Sequence, residues 1–210
     1  NSSNVKNITI IEWSLEIIEE LKKNRPNKFL NGVLESEKSK IIQADARQFV
    51  NLSGKKSFNI IIDNLAYSYM TGATSVKSKT YFKKVSNLLT DGGIFILSIN
   101  GRDEIHAEAV LSGVIEAFES AYFLNNTLVA SNNDLGCFFD KNIQYSQECP
   151  INPALFTKVF NEHEAELANY LGKIKSKKYI SSFKKLEREK FKGIEPINDD
   201  LPIYEYYLCS

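Results

Sequence analysis

Three short apolar runs in this chain each close on an acid: NITIIE on Glu12, KIIQAD on Asp45 and FNIIID on Asp63. Carboxylates at the carboxyl ends of neighbouring strands suit nucleoside chemistry. An ionised carboxylate has about four acceptor sites on two oxygens, so one after an early strand can accept both hydroxyls of a ribose. An acid after the next strand can take an amino proton of adenine, and the third is left to face the reacting group. Trp13, the sole tryptophan, adds a ring face on which a base can stack, and Tyr67, Tyr69 and Tyr81 can line a pocket near Asp63. Each has an ordinary alternative. A single acid after a strand commonly caps the next helix, a tryptophan more often belongs to a core or rim, and Tyr81 fits a core stripe equally well. Three acids in register carry more weight than any one.

Positioning those acids requires strands that alternate with helices. Residues 7–13 and 40–44 read as strands, and residues 58–62 as a β-branched strand buried on both faces. Ser14 is placed to cap a helix whose inner face is Leu15, Ile17, Ile18 and Leu21. A helical turn around Phe49 and Val50 follows Asp45. In residues 77–89, Tyr81, Phe82, Val85, Leu88 and Leu89 recur at spacings of three and four, an apolar stripe for one helix face. Asp91-Gly92-Gly93 ends it, and residues 94–99 form another strand. A helix over 103–121 and two short runs split by Asn125-Asn126 complete the pattern, the latter as an antiparallel hairpin. The expected fold class is α/β, with a mainly parallel sheet and an antiparallel edge hairpin. Right-handed crossovers would then bring Glu12, Asp45 and Asp63 to one edge of a single sheet. The expected organisation is a nucleoside-binding domain over 1–132, a loop and helical extension over 133–197, and a strand over 198–210 returning to the main domain. Within the extension, residues 152–171 and 175–191 carry helical patterns, the second strongly basic.

Composition narrows the function. Lys and Arg number 26 and Asp and Glu 26, so no net field favours nucleic acid or an anionic membrane. Cys137, Cys149 and Cys209 are odd in number and not at metal spacing, which argues for a reducing compartment and against a disulfide framework. His106 and His163 fall in helical patterns without metal-type neighbours and read as surface or helix residues. No apolar run approaches the ~20 residues needed to span a bilayer. The opening NSSNVKN runs straight into a strand, as in a piece cut from a longer chain.

With these residues laid out, the chain resembles the spermidine synthase family of polyamine aminopropyltransferases, over residues 7–130 and the tail, and the resemblance implies a Rossmann-like methyltransferase-type sheet. NITIIEW matches the family's strand ending in the ribose-binding acid, at Glu12, and QADARQF its adenine segment, at Asp45 and Ala46. FNIIIDN matches the strand with the catalytic acid, at Asp63, and SKTYFKKVSNLLTDGGIFILSIN the helix and strand after it. The tail DDLPIYEY is similar to the ending of the branch fused to membrane segments. The resemblance implies decarboxylated S-adenosylmethionine, or S-adenosylmethionine itself, as co-substrate, with no metal. It also implies a polyamine or other small amine as acceptor, a cytoplasmic setting, compatibility with a homodimer, and a membrane only where upstream segments exist. Asp63 would act on the amine with Tyr67 or Tyr69 as helpers, while Glu12, Trp13, Asp45 and Ala46 hold the nucleoside. The family's second acid, three residues after the first, is replaced here by Ala66, and its glycine-rich turn would precede Asn7. A methyltransferase of the same fold and a non-catalytic assembly domain are the other two readings.

Overall fold

The structure, a computed structural model, describes residues 5–23, 33–34, 36–64, 73–99, 104–124, 126–139 and 184–198. It divides into two compact units, Asn1–Leu52 and Ser53–Ser210. In the first, β1 (Ile8–Glu12) and β2 (Ser39–Gln43) pair in parallel, Glu12 opposite Gln43. Between them runs α1 (Leu15–Lys23), and after them α2 (Ala46–Leu52). Ser14 caps α1 as expected, its Oγ accepting the Ile17 N–H at 3.2 Å. Glu16 in the first turn complements the helix dipole, and its own backbone N–H, followed by the Ser14 hydroxyl, holds its carboxyl below the ordinary range. Of the anticipated inner face only Ile18 is buried; Leu21 is half-buried, and Leu15 and Ile17 stay open. Two strands cover no more than a narrow stripe of a helix.

The second unit is built on a five-stranded sheet of order β3-β4-β6-β5-β7. Its strands are β3 (Phe58–Asp63), β4 (Leu89–Ser98), β5 (Ser120–Leu124), β6 (Thr127–Ser131) and β7 (Lys184–Lys185). Two helices, α3 (Lys79–Leu88) and α4 (Glu104–Ala117), supply its core. Ser78 caps α3, its Oγ accepting the Tyr81 N–H at 3.1 Å, and every residue of the expected stripe is buried. Phe82 of α3 meets Phe95 of β4 at 6.0 Å, and Phe95 stacks on Phe118 at 5.4 Å, so an aromatic ladder ties helix to sheet. On the other side Tyr122 stacks on Phe139 of the short helix α5 (Gly136–Phe139) at 4.5 Å. Residues 184–198 strap the unit: the Ser112 hydroxyl donates to Ile194 O at 2.9 Å, and the Lys79 N–H to Ile197 O at 3.0 Å.

The α/β class and the hairpin stand, but the sheet is mixed rather than mainly parallel. Among the described residues only β1 with β2 and β3 with β4 run parallel; β6 enters antiparallel beside β4, and β5 pairs antiparallel with both β6 and β7. With Leu124 opposite Thr127, β6 returns at once along β5, which sets the two antiparallel. Nor is β3 buried on both faces. Among the described residues it is the edge strand of its sheet, with Ile61 and Asp63 turned to the helix-covered side and Ile60 and Ile62 left 55% and 69% exposed. The described end of the basic pattern, residues 184–191, is a strand and a 3-10 turn (Arg188–Phe191) instead of helix, since the open edge of β5 takes up Lys184 and Lys185. Cys137 on α5 is disulfide-bonded, where composition favoured free thiols; local spacing does not show which loops return to it. The pattern at 152–171 and the tail from 199 lie outside the described residues. Among the described residues no helix is long and apolar enough to cross a membrane.

Candidate active site

Parallel pairing carries Glu12 and Asp45 to the same end of the first unit's two strands. The Ala44 N–H donates to Glu12 O at 3.2 Å, which sets the two acids at one rim. Glu12, half-buried, accepts the Ser14 N–H through Oε1 at 2.9 Å. Asp45 caps α2, its Oδ1 accepting the Gln48 N–H at 2.9 Å. Each acid therefore does the ordinary turn-and-cap work, yet only one oxygen of each is engaged by the described residues. Both remain able to accept from a ligand hydroxyl or amine. Ala46 opens α2 and brings no side-chain atom beyond Cβ into that rim. Trp13 follows Glu12 with 76% of its surface exposed, and its carbonyl accepts from Gln43 Nε2 at 3.4 Å, so its ring is a rim group and not a core one.

Asp63 sits in the second unit, at the carboxyl end of β3 opposite Leu97. It is 5% exposed, on the face that α3 covers. The expectation of one sheet carrying all three acids does not hold among the described residues: β1 pairs with β2 and β3 with β4, in separate ladders. Tyr67 and Tyr69 lie outside the described residues, as does Ala66. Tyr81 is core, 4% exposed and edge-on to Phe82 at 6.0 Å.

Two ionisable groups here were not anticipated. Lys77, just before the Ser78 cap, is 1% exposed, and His106 on α4 is 2% exposed. Burial pushes the Lys77 ammonium below its ordinary value, and the Asp63 carboxylate, pulling the other way, is its charged neighbour. Sequence held one weak signal, a lysine wedged between Val76 and a cap serine at the head of an apolar stripe, but a lysine there reads first as solvated. Groups of three or more His, Cys, Asp or Glu able to hold a metal are not found among the described residues.

Solved structures share this architecture. A probable spermidine synthase from Corynebacterium glutamicum superposes with a TM-score of 0.56 at 17% identity, over 91% of this chain and 63% of that one. A spermidine synthase in complex with the transition-state analogue AdoDATO gives 0.52 at 15%, over 76% and 63%. Human Methyltransferase-like protein 13 in complex with SAH gives 0.51 at 15%, over 72% and 67%. This chain thus spans 63% of the length of the two synthases. At these identities the likeness establishes the Rossmann-like methyltransferase fold. Comparison with curated protein sequences returns no match. The profile of the spermine/spermidine synthase domain does match, and because it takes in residues 2–129, more than half of the 210, the chain belongs to the spermine/spermidine synthase family.

Proposed function

We propose that the chain is an aminopropyltransferase-like domain that holds decarboxylated S-adenosylmethionine and passes its aminopropyl group to a polyamine or other small amine. The observation that carries this reading is the shared rim of Glu12 and Asp45, each with an oxygen uncommitted to the described residues, in a chain of this family. Glu12 takes the ribose hydroxyls, Asp45 and Ala46 flank the adenine, and Trp13 offers its exposed ring to the base. The nucleoside supplies a carbon activated by a sulfonium, whose thioether leaves neutral and so needs no acid. The protein is left two tasks: to align an amine and to remove its proton. Asp63 performs both, helped by Tyr67 or Tyr69. An acidic rim also favours a cationic acceptor over an anionic one.

Ligand-induced stabilisation tests the reading. Saturating methylthioadenosine should raise the unfolding free energy, by about 2.7 kcal/mol at a hundredfold excess over Kd. S-adenosylhomocysteine should bind more weakly. The reverse order would favour a methyltransferase of the same fold, the reading to which the likeness to the human methyltransferase-like protein lends support. No shift with either nucleoside would remove both readings and leave a structural role.

A further inference from the structure

The turn that carries Trp13 out of β1 has three successive carbonyls, and each is tied. Glu12 O accepts the Ala44 N–H at 3.2 Å and Ser14 O accepts the Ile18 N–H at 3.3 Å, bonds that a strand end and a first helical turn supply by themselves. Trp13 O, between them, is met by a side chain instead: Gln43 Nε2 donates to it at 3.4 Å, from 30 positions along the chain. Gln43 can reach because the parallel register sets it opposite Glu12, the residue before Trp13. A carbonyl can be met only by the NH2 half of an amide, so chemistry fixes which end of Gln43 is used. The Ser14 N–H, donated to Glu12 Oε1 at 2.9 Å, closes the same turn. A ring with 76% of its surface exposed is thus mounted on a main chain held from both strands.

We propose that Gln43 is a positioning residue: by holding Trp13 O it fixes the main chain from which the indole projects, and so sets Trp13 in advance as a stacking face for the base of a nucleoside at the rim of Glu12 and Asp45. The role toward a nucleoside rests on the aminopropyl-transfer reading; the fixing of Trp13 does not. A main chain free to turn between β1 and α1 would carry the ring through many orientations, and a ligand would have to stop that motion as it bound. With the backbone settled beforehand, only the two side-chain torsions of the tryptophan are left to order. Asp45, two residues after Gln43, is engaged separately by the Gln48 N–H at 2.9 Å, so ring and acid are set by different partners. Gln43 is exposed, and a hydrogen bond exchanged with water contributes modestly to stability. Its effect falls on where Trp13 stands, not on whether the chain folds.

Trp13 is the sole tryptophan, so its fluorescence reports on this position alone. In the whole chain without ligand, time-resolved anisotropy should show wider local motion of the indole in Gln43→Leu and in Gln43→Glu, the second keeping the side chain's length but offering a carboxylate where a donor is needed. Gln43→Lys, which returns a donor, should recover most of the native decay. Native motion in either of the first two variants overturns the proposal, as does motion that Gln43→Lys leaves as wide as in Gln43→Leu. With methylthioadenosine as probe, Gln43→Leu should bind about two- to tenfold more weakly, the range of one net hydrogen bond. In a Trp13→Leu background the same change should alter nothing, because Gln43 acts through the ring. Undiminished affinity in Gln43→Leu, or an equal loss in both backgrounds, overturns the role toward the nucleoside. The anisotropy requires no nucleoside, so it can fail while methylthioadenosine still binds. A chain with the expected anisotropy that binds no methylthioadenosine removes the aminopropyl-transfer reading and leaves the fixing of Trp13 in place.

Discussion

Gly93→Ala is the sharpest test of how the strand bearing Asp63 is held. Between Phe58 and Ile60 the register of β3 on β4 jumps from Leu89 to Ile94, so β4 makes an excursion through Thr90-Asp91-Gly92-Gly93. Gly92 turns that corner at φ 75°, and Gly93 then slides against the backbone of both strands. A Cβ on Gly93 would lie 2.9 Å from Thr90 O, 3.1 Å from Leu89 Cβ and 3.2 Å from Asn59 O. Two of the three obstacles are main-chain carbonyls, which cannot swing aside as a side chain can. Overpacking of this kind costs about 1–3 kcal/mol, against about 0.4–1 kcal/mol gained by restricting the unfolded chain. The net should be a loss of about 1–2 kcal/mol, or a Tm lower by about 2–8 °C in a chain of this size. Gly54→Ala is the control, its nearest neighbour being the Ser57 hydroxyl at an ordinary 3.5 Å, and it should match or slightly exceed the native stability. Far-UV circular dichroism is the readout, because the single tryptophan, Trp13, belongs to the first unit and is already 76% exposed. A Gly93→Ala protein as stable as the Gly54→Ala control would refute the close approach of the two strands.

Other outcomes follow from the same geometry. Glu12→Gln keeps the oxygen that accepts from Ser14 but loses the charge, so methylthioadenosine affinity should fall by about 1.5–3 kcal/mol in a binding titration while Tm barely moves. Asp63→Asn should abolish aminopropyl transfer in a turnover assay and leave nucleoside affinity intact. Phe82→Ala removes a ring with no exposed surface from the ladder to Phe95 and should cost about 3–5 kcal/mol in urea unfolding. The folded Lys77 proton affinity lies below its unfolded value of 10.5, so the folded state binds fewer protons in the interval beneath that value. Unfolding free energy should therefore climb with pH through that interval, and Lys77→Met should flatten the climb.

Much of the framework was legible locally. The stripe Tyr81, Phe82, Val85, Leu88 with a serine at its head became α3 with Ser78 as its cap, because a 3.6-residue period and a cap are properties of a short window. The hairpin around Asn125-Asn126 and the acids at the ends of β1 and β3 were readable for the same reason, as was Asp45 just past β2.

What no window contained was the identity of the neighbour. An apolar β-branched run reads the same whether its second side is covered or open, so Ile60 and Ile62 looked buried until β3 proved to be an edge among the described strands. A lysine among polar residues reads as solvated until a strap from 80 residues or more downstream closes over its corner, as happens at Lys77 through Ile194 and Ile197. His106 on α4 was hidden in the same way, 2% exposed in a helix whose pattern alone did not say which side would be enclosed. Sequence thus determined the elements and the acids at their ends, since propensity and periodicity act over a few bonds. Tertiary structure alone decided which charges lost their water, because burial depends on distances that only the folded chain sets.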